Sequence, residues 1–158
     1  MRIVIQRAKG TRVEIDGKAV AQFEGLGYLI LLGIEATDTI EDVDWLVRKV
    51  AALRVFDDSN GVMNRSIMDI QGEHEGADGN IIVVSQFTLF ASYKKGNRPS
   101  WLKAASHEIS IPLYEAFIQR LSTSISRPVG HGEFGADMKV SFTNDGPVTI
   151  IMDTKNKE

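Results

Sequence analysis

The dipeptide Asp16-Gly17 stands between two runs that alternate apolar and polar residues, Thr11 to Ile15 and Lys18 to Phe23. Both turn residues tolerate positive φ, so this arrangement predicts a tight β-hairpin. Pairing through such a turn fixes the register, and the register decides which side chains face a core. Upstream, Arg2 to Ala8 alternates in the same way, with Ile3 and Ile5 on one side and Arg2 and Val4 on the other. Downstream, Leu26 to Ile34 is almost continuously apolar, as a strand buried on both faces must be. A sheet therefore organises the first quarter of the chain.

A helix is predicted from about Thr39 to Arg54. Ile40, Val43, Leu46, Val47, Val50 and Leu53 recur at spacings of three and four and form one apolar stripe. Thr37 or Asp38 can cap its start, and Glu41 and Asp42 suit the positive end of its dipole. Asp58-Ser59-Asn60-Gly61 reads as a turn, and the glycine-rich, acidic segment Gln71 to Asn80 as an exposed loop. Ile81 to Leu89 is a β-branched run that ends in polar residues. A second helix is expected over Ile111 to Ser124, with Leu113, Phe117 and Leu121 on one face. Two strands, Met138 to Phe142 and Val148 to Met152, are expected to be joined by Thr143 to Pro147. About eight strands, mostly linked by hairpins, and two helices imply one α+β domain over residues 1–158 with antiparallel pairing.

Composition narrows the function classes. The chain has no cysteine, which excludes disulfides, thiolate nucleophiles and cysteine-based zinc sites. No run is apolar and long enough for a signal peptide or a membrane span, so a cytoplasmic location and no membrane partner are expected. The net charge of −3 argues against gripping a long duplex, which calls for a basic face; a nucleic-acid partner would be held by a short end.

Two segments depart from what packing requires. Ser85-Gln86-Phe87-Thr88-Leu89 places polar side chains at the end of a buried strand, where they line a cavity or simply surface. Thr88 is a conceivable nucleophile, but the hydroxyl needs a base and the local sequence supplies none. The second segment is Asn144-Asp145-Gly146-Pro147-Val148-Thr149. It reads as a tight turn with an edge proline, or as a rigid loop tip whose carbonyls point outward. Both isomers of the Gly146-Pro147 bond are open from sequence. His131, Glu133 and Asp137 form a poor metal constellation, since zinc sites want more convergent His or Cys; no metal and no cofactor are expected. No G-x-S-x-G elbow supports a Ser-His-Asp triad. Lys94, Lys95 and Arg98 around Gly96 are either a solvated loop or a site for two or three phosphates.

Taken in order, these segments resemble the D-aminoacyl-tRNA deacylase family over nearly the whole chain. The likeness rests on Met1-Arg2-Ile3-Val4-Ile5-Gln6-Arg7, Leu53-Arg54-Val55-Phe56, Met63-Asn64, Ser85-Gln86-Phe87-Thr88-Leu89 and Gly96-Asn97-Arg98-Pro99-Ser100. Gly132-Glu133-Phe134-Gly135-Ala136-Asp137-Met138 and the Asn144 to Thr149 block complete it. Extra length around Gly72 to Asn80 is the main departure.

The resemblance implies a compact antiparallel β-barrel with flanking helices, working as a two-fold homodimer on the acceptor end of aminoacylated tRNA. Gly146 and Pro147 of one subunit would enter the partner's pocket, walled by Ser85, Gln86, Phe87 and Thr88. Arg7 would orient that loop, and Phe134 and Met138 would border a pocket for the terminal adenosine. The implied reaction is ester hydrolysis, with backbone N–H groups near Phe87 and Thr88 holding the oxyanion and the RNA 2′-hydroxyl assisting. Thr88 then positions rather than attacks. Two other classes compete on the residues alone: a non-catalytic barrel that holds a small molecule or RNA end, and a metal-dependent hydrolase.

Overall fold

The computed structural model describes residues Met1–Glu158. Two long strands begin the chain, β1 (Arg2–Ile15) and β2 (Lys18–Gly33). They pair antiparallel through the expected turn, with Asp16 at φ 50° and Gly17 at φ 75°. Each strand is continuous where the sequence suggested two. The break is a bulge in β2: Lys9 pairs with Leu26 and Thr11 with Phe23, so Glu24 and Gly25 lie opposite the single Gly10, which takes φ +59°.

Helix α1 (Ile40–Ala52) follows, a residue or two shorter than the stripe suggested at each end. Its first turn is tied by the Asp42 carboxylate, which accepts the Thr39 N–H at 2.9 Å. It stops because Arg54 already pairs with Ser66 in a small hairpin, β3 (Arg54–Asp57) with β4 (Met63–Ser66). The predicted turn between them is closed by Asp58, whose carboxylate accepts the N–H groups of Asn60 and Val62.

A short helical turn, α2 (Glu73–Gly76), leads to strand β5 (Asn80–Ser85). A one-turn 3₁₀ helix, η1 (Phe87–Phe90), follows directly. Helix α3 (His107–Ser124) begins four residues before the expected Ile111, because the fold accommodates Pro112 inside the helix. Short β6 (Gly130–His131) and long β7 (Lys139–Asp153) finish the chain.

The main sheet has the order β6-β5-β2-β1-β7, and this corrects two expectations. No ladder joins edge strand β6 to edge strand β7, so the sheet is open rather than a closed antiparallel barrel. Nor is the pairing all antiparallel: β5 runs parallel to β2, and β6 parallel to β5. The chain between β2 and β5 passes through α1 and the small hairpin, a crossover that returns β5 in the direction of β2. The fold is a single α+β domain with a mixed sheet.

The third correction concerns β7. The segment Thr143 to Pro147 is not a hairpin, since β7 runs along β1 from one end to the other. Gln6 pairs with Thr149 and Ala8 with Asn144, so two steps along β1 face five along β7. The surplus residues are pushed out of the ladder as a wide bulge.

The principal core lies between one sheet face and helices α1 and α3. Ile3, Ile5, Tyr28, Ile30, Leu46 and Phe117 meet there, all essentially inaccessible. Each such side chain contributes about 2 kcal/mol relative to exposure. A smaller cluster on the other sheet face gathers Ala8, Val13, Phe23, Leu29, Ile82 and Val84. There Met138, Val140 and Phe142 are only partly covered. The loop expected from Gln71 to Asn80 is exposed in part but anchored: Asp78 is buried and accepts the Leu26 N–H at 2.6 Å. Arg127 grips the carbonyls of Gly76 and Asp78. No helix is long and apolar enough to cross a membrane.

Candidate active site

The apolar run of β5 carries the chain through the sheet and ends at Ser85, where the backbone turns into η1. Gln86 donates its N–H to the Leu32 carbonyl at 2.8 Å, holding this junction against β2. Ser85, Gln86 and Phe87 form a shared wall with a cavity of about 360 Å³ on either side. Gly135 borders both cavities and donates its N–H to Ser85 Oγ at 3.3 Å, so the Gly132 to Met138 segment is tied to the strand end.

The first cavity lies between this wall and the start of α3, and is lined by Ile34, Trp101, Ala105, His107 and Phe134 among others. Its aromatic groups are locked edge to face. Phe87 meets Trp101 at 5.2 Å, and Phe134 meets His107 at 5.7 Å and Tyr114 at 5.4 Å. The Tyr114 hydroxyl donates to the Val83 carbonyl, and burial pushes its pKa up. Such walls offer faces and edges on which a planar base can stack. The second cavity lies over the smaller cluster and is lined by Gln6, Leu31, Met138, Val140 and Phe142 among others. Phe134 and Met138, expected to border one pocket, therefore border two different ones.

Thr88 borders neither cavity. Its hydroxyl accepts a hydrogen bond from the Gln86 side-chain amide, a contact that cannot remove a proton. The backbone beside it is better placed for chemistry. The N–H groups of Phe87 and Thr88 open η1, in the first turn, where a helix supplies no partner of its own for its N–H groups. Free N–H groups next to a cavity can stabilise a developing oxyanion.

The β7 bulge is exposed at Gly146 and Pro147, and the bond between them is cis. Its base is clipped by Asn144, which bonds Gln6 and Thr149 and accepts the Val148 N–H at 3.2 Å. Arg7, buried on β1, braces it from beneath. Arg7 Nε donates to the Asp145 carbonyl at 3.1 Å and lies 3.0 Å from the Asp145 carboxylate. Its Nη1 donates to the Val55 carbonyl at 2.7 Å, so the same guanidinium ties the bulge to the small hairpin. Gly146 sits at φ +122°, where a methyl group would stand 2.8 Å from Val148 Cγ2 and 3.1 Å from Arg7 Nη2. Neither Gly146 nor Pro147 lines either cavity of its own chain.

The structure thus brings Ser85, Gln86 and Phe87 together with Phe134 and Met138 and, separately, Arg7 with the bulge. Sequence reasoning missed Trp101, Ala105 and His107, which carry no motif; Trp101 and Ala105 reach the cavity through the path of the 91–106 segment, and His107 by opening α3. It also missed Gln6, whose place opposite Thr149 was hidden by the hairpin reading. The residues His131, Glu133 and Asp137 do not converge: Asp137 pairs with Lys139 at 3.0 Å, and the His131 ring faces the Gly132 carbonyl at 2.9 Å.

Comparison with known proteins agrees with this geometry. The D-aminoacyl-tRNA deacylases of Phocaeicola vulgatus and Bacteroides fragilis (strain YCH46) are 56% and 58% identical to this chain, each over the full length of both chains. The solved structure of a c-Myc DNA Unwinding Element Binding Protein superposes with a TM-score of 0.86 at 36% identity, covering 98% of this chain and 99% of that one. A second, of a probable eukaryotic D-amino acid tRNA deacylase, shares the fold with a TM-score of 0.78 at 16% identity, covering 96% and 97%. The family model described as D-Tyr-tRNA(Tyr) deacylase matches residues 4–153. The chain belongs to the D-Tyr-tRNA(Tyr) deacylase family, and its activity is that of a D-aminoacyl-tRNA deacylase.

Proposed function

We propose that the chain cleaves the ester between a D-amino acid and the terminal ribose of tRNA at the Ser85–Thr88 strand end, and selects chirality with the Gly146-Pro147 bulge of a second copy. The observation that carries this reading is the shared wall: Ser85, Gln86 and Phe87 divide two cavities, with the first-turn N–H groups of η1 alongside. The terminal adenosine takes the aromatic cavity beside Phe134, and the aminoacyl group lies across the wall toward Gln6 and Met138. The Phe87 and Thr88 N–H groups meet the oxyanion, and the RNA 2′-hydroxyl supplies the assistance that no protein base supplies. Ser85 and Gln86 shape the pocket, and Thr88 positions η1.

The bulge lines no cavity of its own chain but is exposed and braced by Arg7, as a segment inserted into a partner has to be. If its carbonyls hold the substrate α-ammonium, a D side chain projects into open space and an L side chain strikes the loop. Glycine has nothing to strike, so glycyl-tRNA, including tRNA(Ala) mischarged with glycine, is a substrate. Such an enzyme works on cytoplasmic aminoacyl-tRNA and is a homodimer.

The test compares D-tyrosyl-, L-tyrosyl- and glycyl-tRNA with purified protein of measured oligomeric state. Release of D-tyrosine and glycine but not L-tyrosine, by a dimer, is the expected result. Glycyl-tRNA left intact at enzyme levels that clear D-tyrosyl-tRNA overturns selection by exclusion. A monomer of full activity overturns the cross-subunit arrangement. One solved neighbour is named for binding a DNA unwinding element; a net charge of −3 on this chain suits a short nucleic-acid end better than a duplex.

A further inference from the structure

Between Asp78 and Glu108 the chain carries no carboxylate, yet it carries Lys94, Lys95, Arg98 and Lys103. In a chain of net charge −3 this is a marked concentration of cations. The backbone makes them into a compact protrusion. Ser92 and Ser100 exchange both backbone hydrogen bonds at 2.8 Å, so residues 93–99 form a closed loop. Lys94, Lys95 and Arg98 are exposed on it and make no ion pair or side-chain hydrogen bond within the chain. Lys103 lies apart from them, beyond the bridge, where it borders a cleft that Glu35 and Asp153 also line.

A cationic loop alone is ordinarily a solvated surface. Two observations set this one apart. The first is continuity with the site, because Trp101 follows the Ser92–Ser100 bridge directly and forms a wall of the aromatic cavity. Arg98 is three residues from Trp101, at most about 11 Å along an extended backbone. The second is the apolar surface beside the cations. Tyr93 is 75% and Leu102 96% exposed, and neither packs on the core. Cations interleaved with exposed aromatic and apolar side chains are the surface on which a single strand tracks, its phosphates paired and its bases stacked.

We infer that the 93–99 loop is the docking site for the single-stranded 3′ end of the tRNA. Lys94, Lys95 and Arg98 meet the phosphates that precede the terminal nucleotide, while that nucleotide enters the cavity past Trp101. This rests on the proposed use of the aromatic cavity for the terminal adenosine. The loop adds affinity for the RNA without touching the ester. Its contribution therefore appears in KM and is screened by salt.

The test is the triple variant Lys94→Ala, Lys95→Ala, Arg98→Ala, assayed on D-tyrosyl-tRNA and on D-tyrosyl-adenosine, which lacks the preceding phosphates. The expected result is a KM for tRNA raised about tenfold to a hundredfold, with kcat unchanged. The plot of log kcat/KM against log salt becomes shallower by about two, from roughly 0.7 per phosphate contact on a single strand. Turnover of D-tyrosyl-adenosine is unchanged. The variant Lys94→Arg, Lys95→Arg, Arg98→Ala, in which two charges are kept, recovers most of the loss. Unchanged KM and salt slope on tRNA overturn the inference, as does equal loss on both substrates, which marks the loop as a structural support. Should the wild-type protein leave both esters intact, the proposed activity fails, a result distinct from either of these.

Discussion

Ser85–Thr88 and Asp145–Val148 both leave the regular ladder of the sheet, yet they are held in opposite ways. The first is the end of β5, set by its place beside the central strand of the sheet, with apolar contacts behind it and a backbone bond to Leu32. The second lies on edge strand β7, out of the ladder, and depends on polar contacts from Arg7 and Asn144. A cavity wall can rely on the core, whereas a protruding bulge needs its own brace. The contrast implies that the bulge is the part of the site most sensitive to single substitutions.

Arg7→Ala is expected to have the largest effect. It leaves the Val55 and Asp145 carbonyls without their donor and frees the bulge. Stability should fall by about 2 kcal/mol, and deacylation by at least about a hundredfold. Calorimetry and turnover of D-tyrosyl-tRNA check both; full discrimination of D from L in the variant would remove the bracing role. Gly146→Ala comes next, because a methyl at φ +122° crowds Val148 and Arg7. About a hundredfold loss of activity is expected for at most about 1 kcal/mol of stability. A stability loss without an activity loss would show that the bulge is only a fold feature.

On the other side of the comparison, effects should be milder. Phe134→Ala removes a stacking wall and should raise KM about tenfold with little change in kcat. Thr88→Ala should stay within about threefold of wild type, since the hydroxyl has no base; a folded but dead variant would restore the nucleophile. The smallest effect concerns acid stability, far from either segment. Burial opposes ionisation of Asp42, but hydrogen bonds from Thr154, Lys155 and the Thr39 backbone outweigh it and hold its pKa at about 2, below the ordinary 3.8. A depressed carboxylate pKa contributes stability above the unfolded value and loses it as pH falls through the folded one. Lys155→Met should therefore raise the midpoint of acid unfolding slightly, within the window between those values, as read by circular dichroism.

Local signals in the chain are legible where short-range geometry decides. Asp16-Gly17 specifies its hairpin, the stripe from Ile40 to Leu53 its helix, and Asp58 to Gly61 its turn. The polar end of β5 stands out because a buried β-branched run has no packing need for Ser85 and Gln86. Legibility fails at Asn144 to Pro147, whose composition is that of a hairpin turn. What keeps β7 straight is a partner strand more than a hundred residues away in the chain, and no local pattern records a pairing at that separation.

By itself, then, the sequence determined the first hairpin turn, the helical stripe, the apolar faces and the family to which the ordered motifs belong. The tertiary structure alone decided that the sheet is open and mixed, because strand direction depends on where a crossover returns. It also decided that Phe134 and Met138 serve different cavities, because the strand end passes between them. The placement of Trp101 and His107 against the site was likewise tertiary: it follows from a loop path and a helix start that periodicity does not encode.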